Sequence, residues 1–272
     1  GQAFSVALAQ LLTTKSFGKP LHFFPSIDST NTYAARLARE GAAEGCVVIA
    51  DEQTGGKGRL GRSWVSPPGL NLYMSLILRP AVSTATVPQV GLLAAVAVAD
   101  AIEDVCPLTP AIKWPNDILI DGKKVCGILA EMQTEAGLLK AVVLGIGVNV
   151  NAPLSAFPEE LRDKASSLFL LGGRAIDRSA FTAAVLTHLE KLYILWLEEG
   201  FPALRPLWER RATGLLGKVI TVAAAEGTIT GTVQGLDSDG ALLLGDEGSE
   251  TLRRVLAGDV TVIGGYVRGE TS

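Results

Sequence analysis

The chain has 272 residues, 48% apolar and 19% charged, with a net charge of −4 at pH 7. It is long enough for a full-sized core plus a second small domain, and too acidic overall for broad electrostatic binding to nucleic acid. Two histidines leave little for a His-rich metal centre or a Ser-His-Asp triad, and three scattered cysteines without a Cys-x-x-Cys pair fit a reduced, cytoplasmic protein.

No basic stretch precedes an apolar run at the start, so a signal peptide is not expected, and Gly1 in place of Met suggests native residues upstream. Residues 3–13 are predicted as a short amphipathic helix with Phe4, Ala7, Leu8 and Leu11 on one face. So short a segment ahead of the first strand cannot house a winged-helix DNA-binding domain. Phe23-Phe24 reads as a short strand ended by Pro25. Residues 28–32, Asp-Ser-Thr-Asn-Thr, are N-cap formers ahead of a helix carrying Tyr33, Leu37 and Ala38. Capping accounts for one or two of these polar side chains and leaves the others free for a second role.

Residues 46–50 read as a buried strand that delivers the segment 53–64, Gln-Thr-Gly-Gly-Lys-Gly-Arg-Leu-Gly-Arg-Ser-Trp. Four glycines and three cations fall in these twelve positions, and no Asp or Glu occurs from Gln53 to Ala99. Glycine lets backbone N–H groups close on a ligand, and interleaved Lys and Arg add charge, so the segment reads as an anion cradle rather than a solvated loop. Gly56-x-Gly58-x-x-Gly61 matches a dinucleotide fingerprint only literally. A Pro67-Pro68 turn and a strand follow it instead of a helix, and no acid stands where a ribose partner belongs. A P-loop also fails, since neither Ser nor Thr follows Lys57.

A strand is expected over 70–78 and the main core helix over 87–105, the latter too short and too charged near its end to span a membrane. Hairpins follow: 111–120 meets 124–133 across Asp121-Gly122, and 138–150 follows across Ala136-Gly137. Glycines at alternate positions (Gly145, Gly147) leave one strand face bare, so that something can approach it closely. Within the first hairpin, Lys113-Trp114-Pro115-Asn116-Asp117 offers a fixed carboxylate and amide beside a cation. The pair Lys123-Lys124 sends one side chain to each face, so one points towards the site. Helices are predicted from Asp177 through Glu199 and over 202–211. From Gly217, five short strands (218–223, 228–236, 241–244, 251–256, 260–263) indicate a small SH3-like barrel, with the boundary near Gly214.

In order, the segments Ser29-Thr30-Asn31, Gln53 with Gly56 to Trp64, 113–117, Lys124 to Glu131 and Gly145 to Asn149 resemble biotin–protein ligase in its short form, over nearly the whole chain. The resemblance implies an α+β fold, a mixed sheet flanked by helices and class II synthetase-like, with a catalytic biotin/ATP-binding domain at 1–214 and the SH3-like barrel at 215–272. It implies ligase activity: ATP activates biotin to biotinyl-5′-AMP, and biotin passes to a lysine of a biotin carboxyl carrier domain. ATP, Mg²⁺ and biotin are the implied small molecules, with no tightly bound prosthetic group. The implied partner is a carboxylase carrier domain, with no DNA, no membrane, and a monomer or homodimer.

Carried over by residue, Arg59, Lys124 and Asp117 are the implied catalytic groups. Ser29, Thr30, Asn31, Gln53, Lys57, Gly58, Arg59, Trp64, Lys124 and Gly127 would bind biotin. Arg59, Arg62, Trp64, Lys113, Asn116 and Asn149 would bind the nucleotide. Lys57 stands where the family commonly has Arg, and Cys126 where a small residue is usual. The glycine-rich segment is expected to order over the ligand and keep water from the adenylate. Rival readings are a dual ligase and transcriptional repressor, which needs a DNA-binding domain, a lipoate- or octanoate-attaching ligase of the same fold, which should lack the 113–117 motif, and a non-enzymatic binding module. The last predicts basic, aromatic patches in the barrel, whereas residues 217–266 are acidic to neutral with Tyr266 their one aromatic.

Overall fold

The computed structural model of the chain describes residues 2–263; Tyr266 lies outside them. The elements run α1 (Gln2–Leu11), β1 (Leu21–Ile27), α2 (Thr30–Arg39), β2 (Val47–Gln53), β3 (Leu72–Leu78), α3 (Pro88–Val105), β4 (Ala111–Lys113), β5 (Asp117–Ile120), β6 (Lys123–Glu135) and β7 (Leu138–Val148). Then come α4 (Leu168–Gly172), α5 (Arg178–Glu199), α6 (Phe201–Arg211), β8 (Val219–Ala224), β9 (Gly227–Leu236), β10 (Leu242–Gly245), β11 (Leu252–Val255) and β12 (Asp259–Val262). The first seven strands form one mixed sheet in the order β1-β2-β3-β7-β6-β5-β4, with only β1 and β2 parallel.

The sheet's pleat sorts its two faces. Val47, Ile49, Met74, Leu76, Leu144, Ile146 and Val148 face a thick helical layer in which α3 and α5 pack together, with α1 and α6 beside them. Although α3 and α5 are long and apolar enough to cross a membrane, they are largely buried in this core. On the opposite face, α2 packs Ala34 and Ala38 against Val48, Ile77 and Val143, and so covers only part of it. The remainder, over β3, β7 and β6, is where the glycine-rich segment lies.

Three local expectations are revised. Pro25 does not end β1, because β1 is an edge strand: Phe24 and Ser26 pair with Ala50 and Glu52, and Pro25 itself takes no place in the ladder. The strand expected over 111–120 is two, β4 and β5, turned by Trp114-Pro115-Asn116 so that Lys113 pairs with Asp117. The short helix α4, which the sequence reading did not include, is capped by Ser167, whose Oγ accepts the Leu170 N–H at 3.1 Å. The C-terminal unit is the expected SH3-like antiparallel set of five strands, in the order β11-β10-β9-β8-β12. It is joined to the large sheet's side by Gln89 Nε2 donating to Asp239 O (3.0 Å) and by the Leu236 N–H donating to Glu209 Oε1 (3.1 Å).

Candidate active site

A cavity of about 520 Å³ opens over the glycine-bearing face of the sheet, within the range of small-molecule sites. Its floor is made by missing side chains. An added Cβ at Gly147 would stand 2.6 Å from Trp64 Nε1, and one at Gly127 would stand 2.9 Å from Trp64 Cζ3. These two glycines are paired across β6 and β7, so the indole rests on bare backbone. A Cβ at Gly145 would fall 2.3 Å from Asn31 Oδ1. The alternation read from the sequence therefore serves two side chains of the protein itself.

At one end of the cavity the start of α2 meets β2 and β3. Ser29 caps α2, its Oγ accepting the Thr32 N–H at 3.4 Å. Gln53 Oε1 accepts from the Thr30 N–H (2.9 Å) and Thr30 Oγ1 (3.2 Å), while its Nε2 donates to Ser66 Oγ (3.0 Å). Ser75 Oγ lies 2.8 Å from Thr30 Oγ1 and 2.5 Å from Asn31 Oδ1, and Asn31 Nδ2 donates to Glu131 Oε1 at 2.9 Å. The side chain of Asn31 is thus engaged within the protein. Sequence reading missed Ser75 and gave Glu131 no role within its motif, although a serine among the apolar residues of β3 is itself a signal for a buried polar network.

The segment after β2 is a short hairpin. Lys57 bridges Ser63, the Gly58 N–H donates to Arg62 O at 2.7 Å, and the Trp64 N–H donates to Gly56 O at 2.9 Å. At its tip Leu60 is 73% exposed with φ 58°, and Gly61 follows with φ 72°. Gly56 admits no side chain, since a Cβ would sit 2.4 Å from Trp64 O. Arg59 Nη2 reaches Asp259 Oδ1 at 3.0 Å, and Arg62 also pairs with Asp259. Sequence reading missed Asp259, which lies nearly two hundred residues away and carries no motif.

The opposite wall carries the remaining charges. Lys124 Nζ is 3.1 Å from Asp117 Oδ1 and 5.5 Å from the Trp64 ring centroid, and Lys113 Nζ is 3.9 Å from Asp117 Oδ2. A bulge decides which lysine enters. Ile118 pairs with Cys126 but Leu119 with Lys124, leaving Val125 as the extra residue. Plain alternation would place Lys124 on the face of Cys126, whereas the bulge turns it to the face of Gly127. Lys123 instead reaches Arg162 O at 3.4 Å. Burial lowers the Lys113 amine below its usual range, Asp117 opposes this, and Lys124 and Arg59 lower it further. Burial also pushes the Cys126 thiol far above the ordinary cysteine range, so the residue reads as packing and not as a nucleophile.

The segment 113–117 splits its work. Lys113 and Asp117 line the cavity, while Trp114 Nε1 donates to Gly240 O (3.4 Å) in the C-terminal unit. Asn116 is not among the lining residues; its amide presses on α3, where a Cβ on Gly91 would stand 2.7 Å from Nδ2. Every other expected biotin, nucleotide or catalytic residue does line the cavity: Ser29, Thr30, Asn31, Gln53, Lys57, Gly58, Arg59, Arg62, Trp64, Lys113, Asp117, Lys124, Gly127 and Asn149. The segment after β7 adds Phe157 and Leu161 to the lining and joins β6 through the Lys124 N–H to Lys164 O bond (2.9 Å). The result is a closed-sided cleft with a polar end, an aromatic floor and an excess of cations, able to hold an anionic ligand with an apolar part.

Residues 23–149 match the family described as biotin/lipoate A/B protein ligase, and residues 215–262 match the biotin protein ligase C-terminal domain. The chain is 42% identical over 249 residues to the bifunctional ligase/repressor BirA of Bacillus subtilis, covering 92% of this chain and 76% of that protein. It is 37% identical over 224 residues to the biotin--[acetyl-CoA-carboxylase] ligase of Paracoccus denitrificans, covering 80% of this chain and 90% of that one. Its structure is similar to the biotin protein ligase from Aquifex aeolicus in complex with biotin and ATP, with TM-score 0.77, 31% identity, and coverage of 90% and 98%.

Proposed function

This chain belongs to the biotin–protein ligase family, and from that premise we propose that it activates biotin with ATP and transfers it to a lysine of a carboxylase carrier domain. The observation that carries the proposal is the joining in one cleft of Lys124, Lys113, Asp117 and the Lys57-Arg59-Arg62 hairpin over the Trp64 floor. The repressor half of the Bacillus protein's name is not carried over.

The ureido head of biotin needs donors and acceptors in a buried place, and the Ser29, Thr30 and Gln53 end supplies them. The apolar ring and tail then lie along Trp64, which brings the carboxylate towards Lys124. In the first step a carboxylate oxygen of biotin attacks the α-phosphorus of ATP, and pyrophosphate leaves. Two anions must meet, so Lys124, Lys113 and Arg59 offset the negative charge carried by the carboxylate and the α-phosphate oxygens. Asp117 keeps the Lys124 ammonium in place from 3.1 Å. In the second step a neutral carrier amine attacks the acyl carbon of the mixed anhydride, AMP leaves with the bonding electrons, and the proton shed by the nitrogen as the amide forms is released with it. Water has to be kept out, which is the work of the hairpin closing over the ligand.

Among the described residues no group of three or more His, Cys, Asp or Glu side chains is gathered to hold a metal. Mg²⁺ would come with the phosphates of ATP, and Asp117, a carboxylate on the cavity wall, is placed to face a phosphate-bound ion, whose charge would offset that of the phosphates.

Biotin-dependent exchange between ATP and pyrophosphate tests the proposal. Exchange that needs biotin, followed by labelling of a biotin carboxyl carrier domain, is the expected result. Exchange driven by lipoate or octanoate but not by biotin would overturn it.

A further inference from the structure

We propose that Asp259 is a positioning residue, reaching out of the C-terminal unit to hold the loop arginines over the catalytic cleft. The proposal rests on the ligase reading for its kinetic half, while its structural half stands alone. The chain has no acid from Gln53 to Ala99, so the hairpin cannot neutralise its own cations. Among the described residues, the one carboxylate bridged to this hairpin is Asp259, which takes Arg59 on Oδ1 at 3.0 Å and Arg62 on Oδ2. Gly258 O adds a second tether by accepting from Arg59 Nη1 at 3.4 Å. One strand start of a separate sheet therefore engages the hairpin at three points.

The anchor is stiff. Asp259 pairs with Ala223 in the β12–β8 ladder, and Gly258 has φ 147° with no space for a side chain, since a Cβ would meet Val222 Cγ1 at 2.6 Å and Ala223 O at 2.8 Å. The side chains of Arg59 and Asp259 are each 23% exposed, so the pair is shielded enough to matter and open enough to exchange. Its field also reaches Lys113 across the cleft.

The arrangement has a consequence for the ligand. With both terminal nitrogens of Arg59 engaged by Asp259 and Gly258, the guanidinium is held at a fixed place on the cavity wall, and its Nε–H and the second N–H of each terminal nitrogen remain to donate to an incoming phosphate. Asp259 also removes part of the local positive charge. Simple neutralisation predicts that deleting the carboxylate strengthens anion binding. Positioning predicts the opposite, because the hairpin then opens more often.

Full-length protein, wild type and Asp259→Ala, Asp259→Asn and Asp259→Glu, should be digested with trypsin without ligand, following cleavage after Arg59 and Arg62. The same proteins should then be loaded with biotin and MgATP to measure the lifetime of the bound adenylate and KM for ATP against kcat. We expect Asp259→Ala to be nicked about tenfold faster and to lose adenylate about tenfold faster, with Asp259→Asn similar or intermediate and Asp259→Glu largely restored. Thermal unfolding should stay close to wild type, which separates the tether from a structural role. Unchanged nicking and adenylate lifetime in both Asp259→Ala and Asp259→Asn, or a fall in KM for ATP with no loss of lifetime, would overturn the proposal. Faster nicking in a protein whose wild type makes no biotinyl adenylate would instead reject the ligase reading and leave the tether standing.

Discussion

Replacing Gly147 by Ala is the sharpest probe of the cleft's floor. The new Cβ would start 2.6 Å from Trp64 Nε1 and 2.8 Å from Cε2, where ordinary contact begins near 3.4 Å. The strand cannot retreat, because β7 is hydrogen-bonded on both sides, Tyr73 and Gly127 being the partners of Gly147. The indole must therefore lift by about 0.8 Å, carrying the ring that lies under the Lys124 ammonium. Overpacking of this kind costs about 1–2 kcal/mol here, since Trp64 is half-buried and free to move on its outer side. That corresponds to roughly 2–4 °C in Tm for a chain of this size. The larger effect falls on chemistry: a displacement approaching 1 Å in a positioning surface lowers kcat/KM for biotin by about 10²-fold. Biotin-dependent exchange kinetics and thermal unfolding on the same preparation measure both. If kcat/KM stays within about twofold and Tm does not move, the ring does not rest on bare strand and the account of the floor fails.

Lys124→Ala removes the ammonium closest to Asp117 and should lower the first-step rate by about 10²–10³-fold with the fold intact; an unchanged rate measured by rapid quench would move the phosphate contact to Lys113 or Lys57. Arg59→Gly should still form the adenylate but release it, so that bystander lysines become biotinylated, and a wild-type release rate would show that Arg59 has another role. Far from the cleft, Glu190 accepts the N–H groups of Lys15 (2.7 Å), Ser16 (3.0 Å) and Phe17 (3.0 Å). Its burial alone would raise its pKa, but the donors of Phe17, Lys15 and Ser16 outweigh this and hold the carboxyl below the usual glutamate range. A carboxyl depressed in the folded state stabilises fully above its unfolded pKa, near 4.3, and loses that contribution as pH falls through the lower folded value. Glu190→Gln sets an NH₂ donor against those N–H groups. It should cost about 2–3 kcal/mol at pH 7 and flatten the acid limb below about pH 4.5, as read from urea unfolding across pH.

The parts of the molecule that were legible beforehand are those set by short-range rules. N-cap formers at 28–32, the Asp121-Gly122 and Ala136-Gly137 turns, and the alternate glycines of β7 act through φ, ψ and pleat within a few residues. Each is present where its pattern predicts. The acid-free stretch from Gln53 to Ala99 likewise marked a segment with unmet positive charge, and the ordered motifs named its surroundings.

Other features had no local signature. The bulge at Val125 arises from the pairing of β5 with β6, so it could not be read from Lys123-Lys124, yet it alone turns Lys124 onto the glycine face. Asn116 belongs to a motif that looks like one site, but its amide lies against α3 at Gly91 and not on the cavity wall. Pro25 looked like a strand end because edge and interior strands are told apart only by their neighbours. The hairpin's cations identified themselves in the sequence as charges in need of a partner. Their partner, Asp259, was chosen by the docking of a second sheet about two hundred residues further on, because an ion pair depends on distance in space, to which order along the chain is blind.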